Sequence, residues 1–263
     1  RHHDGAIGLV LAADHMVADF TGFRESVKRA RPAAEAGKIV TFGVTPSHPS
    51  TAYGYIKPGE TVEGDARHIS IFLEKPKSSM ARDLVAEGYL WNSGNFMFKP
   101  ETMLEELDRH APQISDCAAA ALDRATNDLG ATLLDADAFA NAPKISIDYA
   151  VMQKTIHAAV VTASFDWSDI GTWGALWDAS EHDERGNRAT GNVALLDTTN
   201  SLVHSDEILT TVAGLDNVVV VSTRDAVLVT SKENSGEVKI LVEALKAKSQ
   251  REASEHLKMY RPW

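Results

Sequence analysis

The stretch LVLAADHMVADFTGFRESVKRARPAAEAGKIVTFGV (residues 9–44) decides the fold. Leu9, Val10, Leu11, Ala12 and Ala13 form an unbroken apolar run, which predicts a fully buried strand over residues 7–13. Phe20, Phe23 and Val27 then recur at helical spacing, so residues 19–36 predict a helix, with Gly37 just past its end. KIVTFGV (38–44) is a second apolar, β-branched run. Strand, helix and strand, with both strands apolar throughout, is the pattern of a parallel sheet covered by helices. The first strand stops at Asp14 and His15. Asp is a common helix N-cap, and that reading gives Asp14 a purely structural task. The other reading is that the strand delivers a carboxylate to a site.

Beyond residue 44 the alternation continues. Residues 45–60 are dense in Pro, Gly, Ser and Thr and predict a long loop. HISIFLEKP (68–76) predicts a strand ending in a charge pair before Pro76, and YLWNSGNFMFKP (89–100) a strand interrupted at Asn92, Ser93 and Gly94. Helices follow over about 101–110 and 112–126, and Ser146 caps a short one in IDYAVMQKT. AAVVTASF (158–165) predicts a strand, and WSDIGTWGALWDAS runs from a turn into a helix. Trp173 and Trp177, four apart, share one helix face and read as core. The style changes near residue 185. Short β-rich segments at 191–196, 201–204, 207–213, 217–222 and 226–230 suggest a small all-β unit, open to a β-helix-like arrangement although the repeats are irregular. A last helix covers about 234–248. The expected organisation is an α/β domain over 1–183, a β-rich unit over 184–250 and a linker over 251–263.

Composition limits what such a chain binds. Its 263 residues suffice for one large or two modest domains. A net charge of −11 disfavours nucleic acid and anionic membranes, which want clustered Lys and Arg, but leaves room for a small phosphorylated ligand. No apolar run approaches the length of a membrane span. The single cysteine, Cys117, lies in an Ala-rich helix pattern and reads as a structural thiol in a reducing, cytoplasmic setting. The start, RHHDGAIGL, has no signal-peptide shape and no Met, and it runs at once into a strand; the chain is expected to begin inside a larger domain. His2, His3, His15 and His48 show no zinc spacing, and neither a nucleophile elbow nor a Walker-type loop is present.

Chemistry gathers where apolar strands end: Asp14, Glu74 with Lys75, and Asp169 after SFDWS. Open α/β sheets bind ligands outside the carboxyl ends of parallel strands. Two carboxylates delivered there from distant segments could share one Mg2+, which is satisfied by one or two carboxylates, phosphates and water. A turn is the plain alternative for Asp169. Lys75, locked by Pro76, offers a positioned ammonium to an anion, and Glu74, alternating to the other face, offers a carboxylate to hydroxyl donors. The plain alternative is an exposed ion pair. Asn92, flanked by aromatics and followed by Gly94, fits an amide reading hydroxyls, or a β-bulge. Gly54, between two tyrosines, lets a ligand approach the main chain.

Together LVLAADH, YGYI, FLEKP, WNSGNFMF, SIDYAVM and WSDIGTWGALW resemble, in order, the bacterial mannose-1-phosphate guanylyltransferases, the GDP-mannose pyrophosphorylases of the sugar-nucleotide transferase superfamily. The likeness runs from about residue 7 to the end, where HLKMYRPW resembles the junction to a phosphomannose isomerase domain. It implies a Rossmann-like, GT-A-like α/β fold with a mixed, mainly parallel sheet and helices on both faces. It implies formation of GDP-mannose and pyrophosphate from GTP and mannose 1-phosphate with Mg2+. By motif, Asp14 and Asp169 hold the metal, Lys75 binds the sugar phosphate, Glu74 and Asn92 read sugar hydroxyls, and Gly54 meets the sugar through its backbone. Asp148 lies in a family motif near the sugar pocket. A homodimer is a compatible assembly.

One departure stands out. The family's opening glycine-rich loop, G-G-x-G-x-R-L-x-P-L-S, which wraps the nucleoside triphosphate, has no counterpart here. The expectation is therefore an N-terminally incomplete chain whose sheet lacks its first strand. Two other readings stay open: a nucleotidyltransferase for another sugar 1-phosphate, although WNSGNF and SIDYAVM favour mannose, and a non-catalytic module that binds sugar phosphate or serves assembly.

Overall fold

The computed structural model describes residues 5–254. His2, His3 and residues 255–263 of the expected C-terminal linker lie outside them. The chain divides into two compact units, Arg1–Trp167 and Ser168–Trp263.

In the first unit, β1 (Gly8–Val10) and the two-residue β2 (Met16–Val17) precede α1 (Phe20–Glu35). Then come β3 (Ile39–Val44), β4 (Gly54–Glu63), β5 (Ala66–Glu74), α2 (Ser78–Ala86) and β6 (Leu90–Phe98). The helices α3 (Pro100–His110) and α4 (Pro112–Asp123) follow, each opened by the proline whose missing N–H costs nothing there. A small hairpin of β7 (Thr126–Asp128) and β8 (Ala131–Leu133), the short α5 (Ala136–Ala140), a π-turn over Asp148–Met152 and β9 (Ala158–Thr162) complete it, and β10 (Trp167–Ser168) lies where the units meet in the sequence.

Six strands form one mixed sheet in the order β1-β6-β3-β9-β5-β4, with β4 also bonded to β6. Only β3 and β9 run parallel; the other pairings are antiparallel, so the sheet is mixed but not mainly parallel as expected. Alternation along β3 serves both faces. Ile39 belongs to the core formed with Ile56, Phe72, Leu90 and Met103, whereas Val40 and Phe42 pack with Ala30, Ala33 and Ala34 of α1. Helices therefore cover both sides.

Two expectations need correction. The run 9–13 is not a buried strand: β1 is the sheet's terminal strand, its pairing ends at Val10, and Val10 and Leu11 are 53% and 47% exposed. An apolar run is buried only where neighbours cover it. Residues 54–60 are not loop but the start of β4. This strand also ends the sheet order, and Pro58, which cannot donate to a ladder, sits where its register with β5 shifts.

The cap belongs to Asp19, not Asp14. The Asp19 Oδ1 accepts from the N–H groups of Thr21 and Gly22, both at 3.0 Å. α1 then lies tight against the end of β9. Ser26 Oγ donates to Gly22 O and accepts from Ser164 N, and Arg29 donates to Thr162 O at 2.8 Å.

In the second unit α6 (Trp173–Asp178) precedes β11 (Arg188–Leu196), β12 (Leu202–Ala213), β13 (Val218–Ser222) and β14 (Val227–Ser231); α7 (Val238–Ala247) follows, and then a 3-10 turn over Arg251–Ala253 within the expected linker. The strands adjoin in chain order, β11 to β12 and β12 to β13 parallel and β13 to β14 antiparallel. Successive parallel strands at short spacing make this a β-helix-like unit. Asn200 and Asn217 turn the corners before β12 and β13 with φ of 49° and 58°, a left-handed backbone that Asn tolerates. Leu202, Val219 and Val221 pack under Trp173, Leu176 and Trp177, as the tryptophan spacing predicts. The segments 201–204 and 207–213 are one strand.

A Cβ on Gly22 would stand 2.0 Å from the Ser164 carbonyl oxygen. Gly22→Ala should therefore destabilise the first unit by about 1–3 kcal/mol despite the better helix propensity of Ala. Urea unfolding followed by circular dichroism measures this; an unchanged midpoint would show that α1 does not pack as described.

Candidate functional site

Five of the seven expected site residues meet around the ends of β4, β5 and β6. Glu74 is the last residue of β5, and Lys75 follows with φ of 50°. Its N–H donates to Tyr53 O at 3.2 Å, and the buried Pro76 fixes what comes next. This left-handed residue breaks the alternation expected of the pair. Lys75 does not point away from Glu74; its ammonium lies 3.6 Å from Glu74 Oε1. The two differ in environment, since the Lys75 side chain is 61% exposed and that of Glu74 only 8%. Being exposed, the ammonium is available to an anion from solvent.

Gly54 is the register partner of Glu74. A Cβ there would stand 2.4 Å from Glu74 Oε2 and 3.4 Å from Asn92 Cβ. Glycine is therefore what allows the two polar side chains to adjoin across the strand end. Asn92 lies in β6 where the register against β3 slips, between Thr41 and Gly43, so the bulge reading holds. Its Oδ1 accepts from Thr41 Oγ1 at 2.7 Å and from Gly94 N at 3.3 Å, and its Nδ2 donates to Asp148 Oδ1 at 2.9 Å. The amide is thereby fixed in one orientation. Asp148 opens the π-turn, a local widening of the helix often found at functional sites.

Burial pushes the Glu74 carboxyl above the ordinary carboxylate range, and the neighbouring Asp148 raises it further against the pull of Lys75. Burial also pushes Asp148 up, opposed by hydrogen bonds from its own backbone, Asn92 and Ser146. Two half-buried carboxylates and one exposed ammonium make a site suited to a ligand carrying both hydroxyls and a negative charge.

Asp14 lies in an exposed turn after β1 and makes no hydrogen bond or ion pair among the described residues. Asp169 belongs to the second unit, where its Oδ1 accepts from Gly171 N at 3.0 Å. Among the described residues no three of His, Cys, Asp or Glu gather into a ready-made cation site. Each carboxylate by itself is a hard oxygen donor of the kind Mg2+ takes together with phosphate and water.

Sequence reasoning missed Thr41. Its signal was a lone hydroxyl in the middle of the buried run KIVTFGV. It also missed a cavity of about 280 Å³ lined by Asp19, Val44, Thr45, Ala163, Ser164, Phe165 and Asp166. This cavity opens at the carboxyl ends of the parallel β3 and β9, the edge at which α/β sheets take ligands.

A helix-covered mixed sheet with polar groups collected at its strand ends, followed by a β-helix-like unit, defines an α/β ligand-binding domain with a parallel-β appendage. Residues 1–186 match the sequence family described as Nucleotidyl transferase, and the chain belongs to that family. Residues 191–245 match a MannoseP isomerase/GMP-like beta-helix domain. The mannose-1-phosphate guanylyltransferase of Escherichia coli (strain K12) is 44% identical over 97% of this chain and 54% of its own length. The alginate biosynthesis protein AlgA of Pseudomonas syringae pv. tomato is 42% identical over 99% of this chain and 54% of its own. The chain thus spans about half the length of these curated relatives. A crystal structure described as mannose-1-phosphate geranyltransferase from Thermus thermophilus superposes with a TM-score of 0.77 at 36% identity, covering 91% of this chain and 70% of that one.

Because the native state holds the Glu74 and Asp148 protons more tightly than the unfolded chain does, the stability linked to these groups is full at low pH. It is lost as pH rises through their raised native pKa values, above about pH 4. Glu74→Gln removes one of the two charges and should flatten that loss, leaving the variant more stable than the unmodified chain at neutral pH. Thermal melts between pH 4 and 8 check this; parallel curves would remove the strain attributed to the pair.

Proposed function

We propose that the chain is part of a mannose-1-phosphate guanylyltransferase, which joins mannose 1-phosphate to GTP, forming GDP-mannose and releasing pyrophosphate. The observation that carries this reading is the junction at Gly54, where Glu74, Asn92 and Asp148 converge beside the exposed Lys75 ammonium. Fixed acceptors and a fixed amide suit the hydroxyls of a pyranose, and the ammonium beside them suits the phosphate on its first carbon. The relatives' names supply mannose and the guanylyl group.

In this reaction the sugar-phosphate oxygen attacks the α-phosphorus in line with the departing pyrophosphate. The nucleophile is already ionised, so no general base is needed, which agrees with a site holding carboxylates, an amide and a Lys. The obstacle is repulsion between converging negative charges, so positioning and neutralisation carry the catalysis. Asp14 and Asp169 would hold Mg2+, which supplies charge neutralisation at the phosphates. Lys75 holds the sugar phosphate, while Gly54, Glu74, Asn92 and Asp148 hold the ring so that the phosphate oxygen points at its target. GDP-mannose is the mannosyl donor from which mannose-containing polysaccharides are built, in keeping with the alginate and xanthan proteins among the relatives. Both substrates are intracellular metabolites, which supports a cytoplasmic setting for the reaction. No described helix is long and apolar enough to cross a membrane.

Lys75→Ala should weaken mannose 1-phosphate binding by ten- to a hundredfold, the loss expected for one charged hydrogen bond of about 1.5–3 kcal/mol. Isothermal titration calorimetry reads this, and equal binding by the variant would remove Lys75 from the phosphate site. In the gene product that carries the whole activity, Asp169→Asn should abolish Mg2+-dependent turnover and leave the melting temperature within a few degrees. Unchanged Mg2+ dependence would remove Asp169 from the metal site.

A further inference from the structure

His15 follows Asp14 and carries a constraint that none of the roles above uses. The Trp167 indole N–H donates to its Nδ1 at 3.1 Å, with the rings edge to face at 5.3 Å between centroids. An indole nitrogen only donates, so Nδ1 must present its lone pair and the ring proton must sit on Nε2. Trp167 is itself held, since Tyr53 packs on it edge to face at 5.2 Å and Tyr53 packs in turn on Trp91 at 4.8 Å. The loop that carries His15 is tied to β6 through Ala12 N and Asn95 Oδ1 at 3.1 Å. The imidazole is therefore fixed in position and in tautomer, and it presents a neutral N–H donor that no described residue accepts.

Where the ring sits gives that donor a use. His15 Cε1 lies 3.8 Å from the place a Cβ on Gly94 would occupy. Gly94 has a φ of 69°, and its N–H is bonded to Asn92 Oδ1. Neighbour by neighbour the site runs from Lys75 through Glu74, Gly54, Asn92 and Gly94 to His15, with the charged anion holder at one end and a neutral donor at the other. Gly54 and Gly94 contribute no side chain to this row.

We propose that His15 is a specificity-determining hydrogen-bond donor, whose Nε2–H reads a pyranose hydroxyl remote from the phosphate-bearing carbon, at C4 or C6. Trp167 is the positioning residue that keeps the donor on Nε2. The proposal rests on the hexose 1-phosphate reading above.

The test is calorimetry of the chain with mannose 1-phosphate and with its 4-deoxy and 6-deoxy analogues. A Gln amide nitrogen reaches where Nε2 lies, whereas an Asn amide stops near Nδ1. His15→Gln should therefore bind mannose 1-phosphate within about twofold of the unmodified chain, and His15→Asn should bind it five- to tenfold more weakly. One deoxy analogue should bind the unmodified chain as weakly as His15→Asn binds the parent sugar, and His15→Asn should lose nothing further with it. Trp167→Phe, which frees the tautomer, should weaken binding with His15 present and add nothing to His15→Asn. Equal losses in the Gln and Asn variants, or a His15→Asn loss that persists with both deoxy analogues, would overturn the proposal in favour of a structural role. Unchanged binding in His15→Asn would overturn it while the hexose phosphate reading stands. Failure of the unmodified chain to bind mannose 1-phosphate would overturn both.

Discussion

A hydroxyl buried in the middle of a sheet governs the site. Thr41 Oγ1 donates to Asn92 Oδ1 at 2.7 Å, and this bond, seconded by the one from Gly94 N, decides which way the Asn92 amide faces. With the oxygen turned to Thr41, the nitrogen must turn to Asp148, and Asp148 anchors the π-turn that closes that side. A buried polar atom left without a partner costs about 1–3 kcal/mol, so each member holds the next in place. The register slip between β3 and β6 is what allows a polar side chain from each strand to meet at this point of an otherwise apolar layer. The rigidity of the Asn92 amide is built from buried sheet.

The same constraint extends to the charges. Glu74 and Asp148 are kept close although burial and mutual repulsion raise both. Lys75 offsets the cost in part. The left-handed turn at Lys75 belongs to this balance. An extended residue there would send the ammonium to the opposite face, and a ligand would then meet two carboxylates with no counter-charge beside them.

How much was legible in the sequence depended on the range of the interaction. Helix periodicity and capping are local, so α1, α3, α4 and the core role of Trp173 and Trp177 followed from spacing alone. Strand direction is set by which strands adjoin, and no run of apolar residues records that; β3 read correctly as buried, yet most of its sheet is antiparallel. The same limit made residues 9–13 look interior when their strand ends the sheet, and made the Pro and Gly of β4 look like loop when they mark an outer strand. Asp14 and Asp19, five residues apart, could each have capped α1, and only the backbone shows that Asp19 does so. Glu74, Lys75 and Asn92 stood out because polar residues at the ends or bulges of apolar strands break a pattern, Gly54 because it lies between two tyrosines, and Asp148 only through the family resemblance. Thr41 was passed over because a single hydroxyl in a β-branched run does not.

The central claim is geometric, and a crystal structure of the chain with mannose 1-phosphate tests it most directly. The account predicts the phosphate beside the Lys75 ammonium, the pyranose lying over Gly54, and its hydroxyls on Glu74, Asn92 and Asp148. A sugar phosphate seated elsewhere in a crystal where this site is open to solvent, or bound here with its phosphate turned away from Lys75, would contradict it.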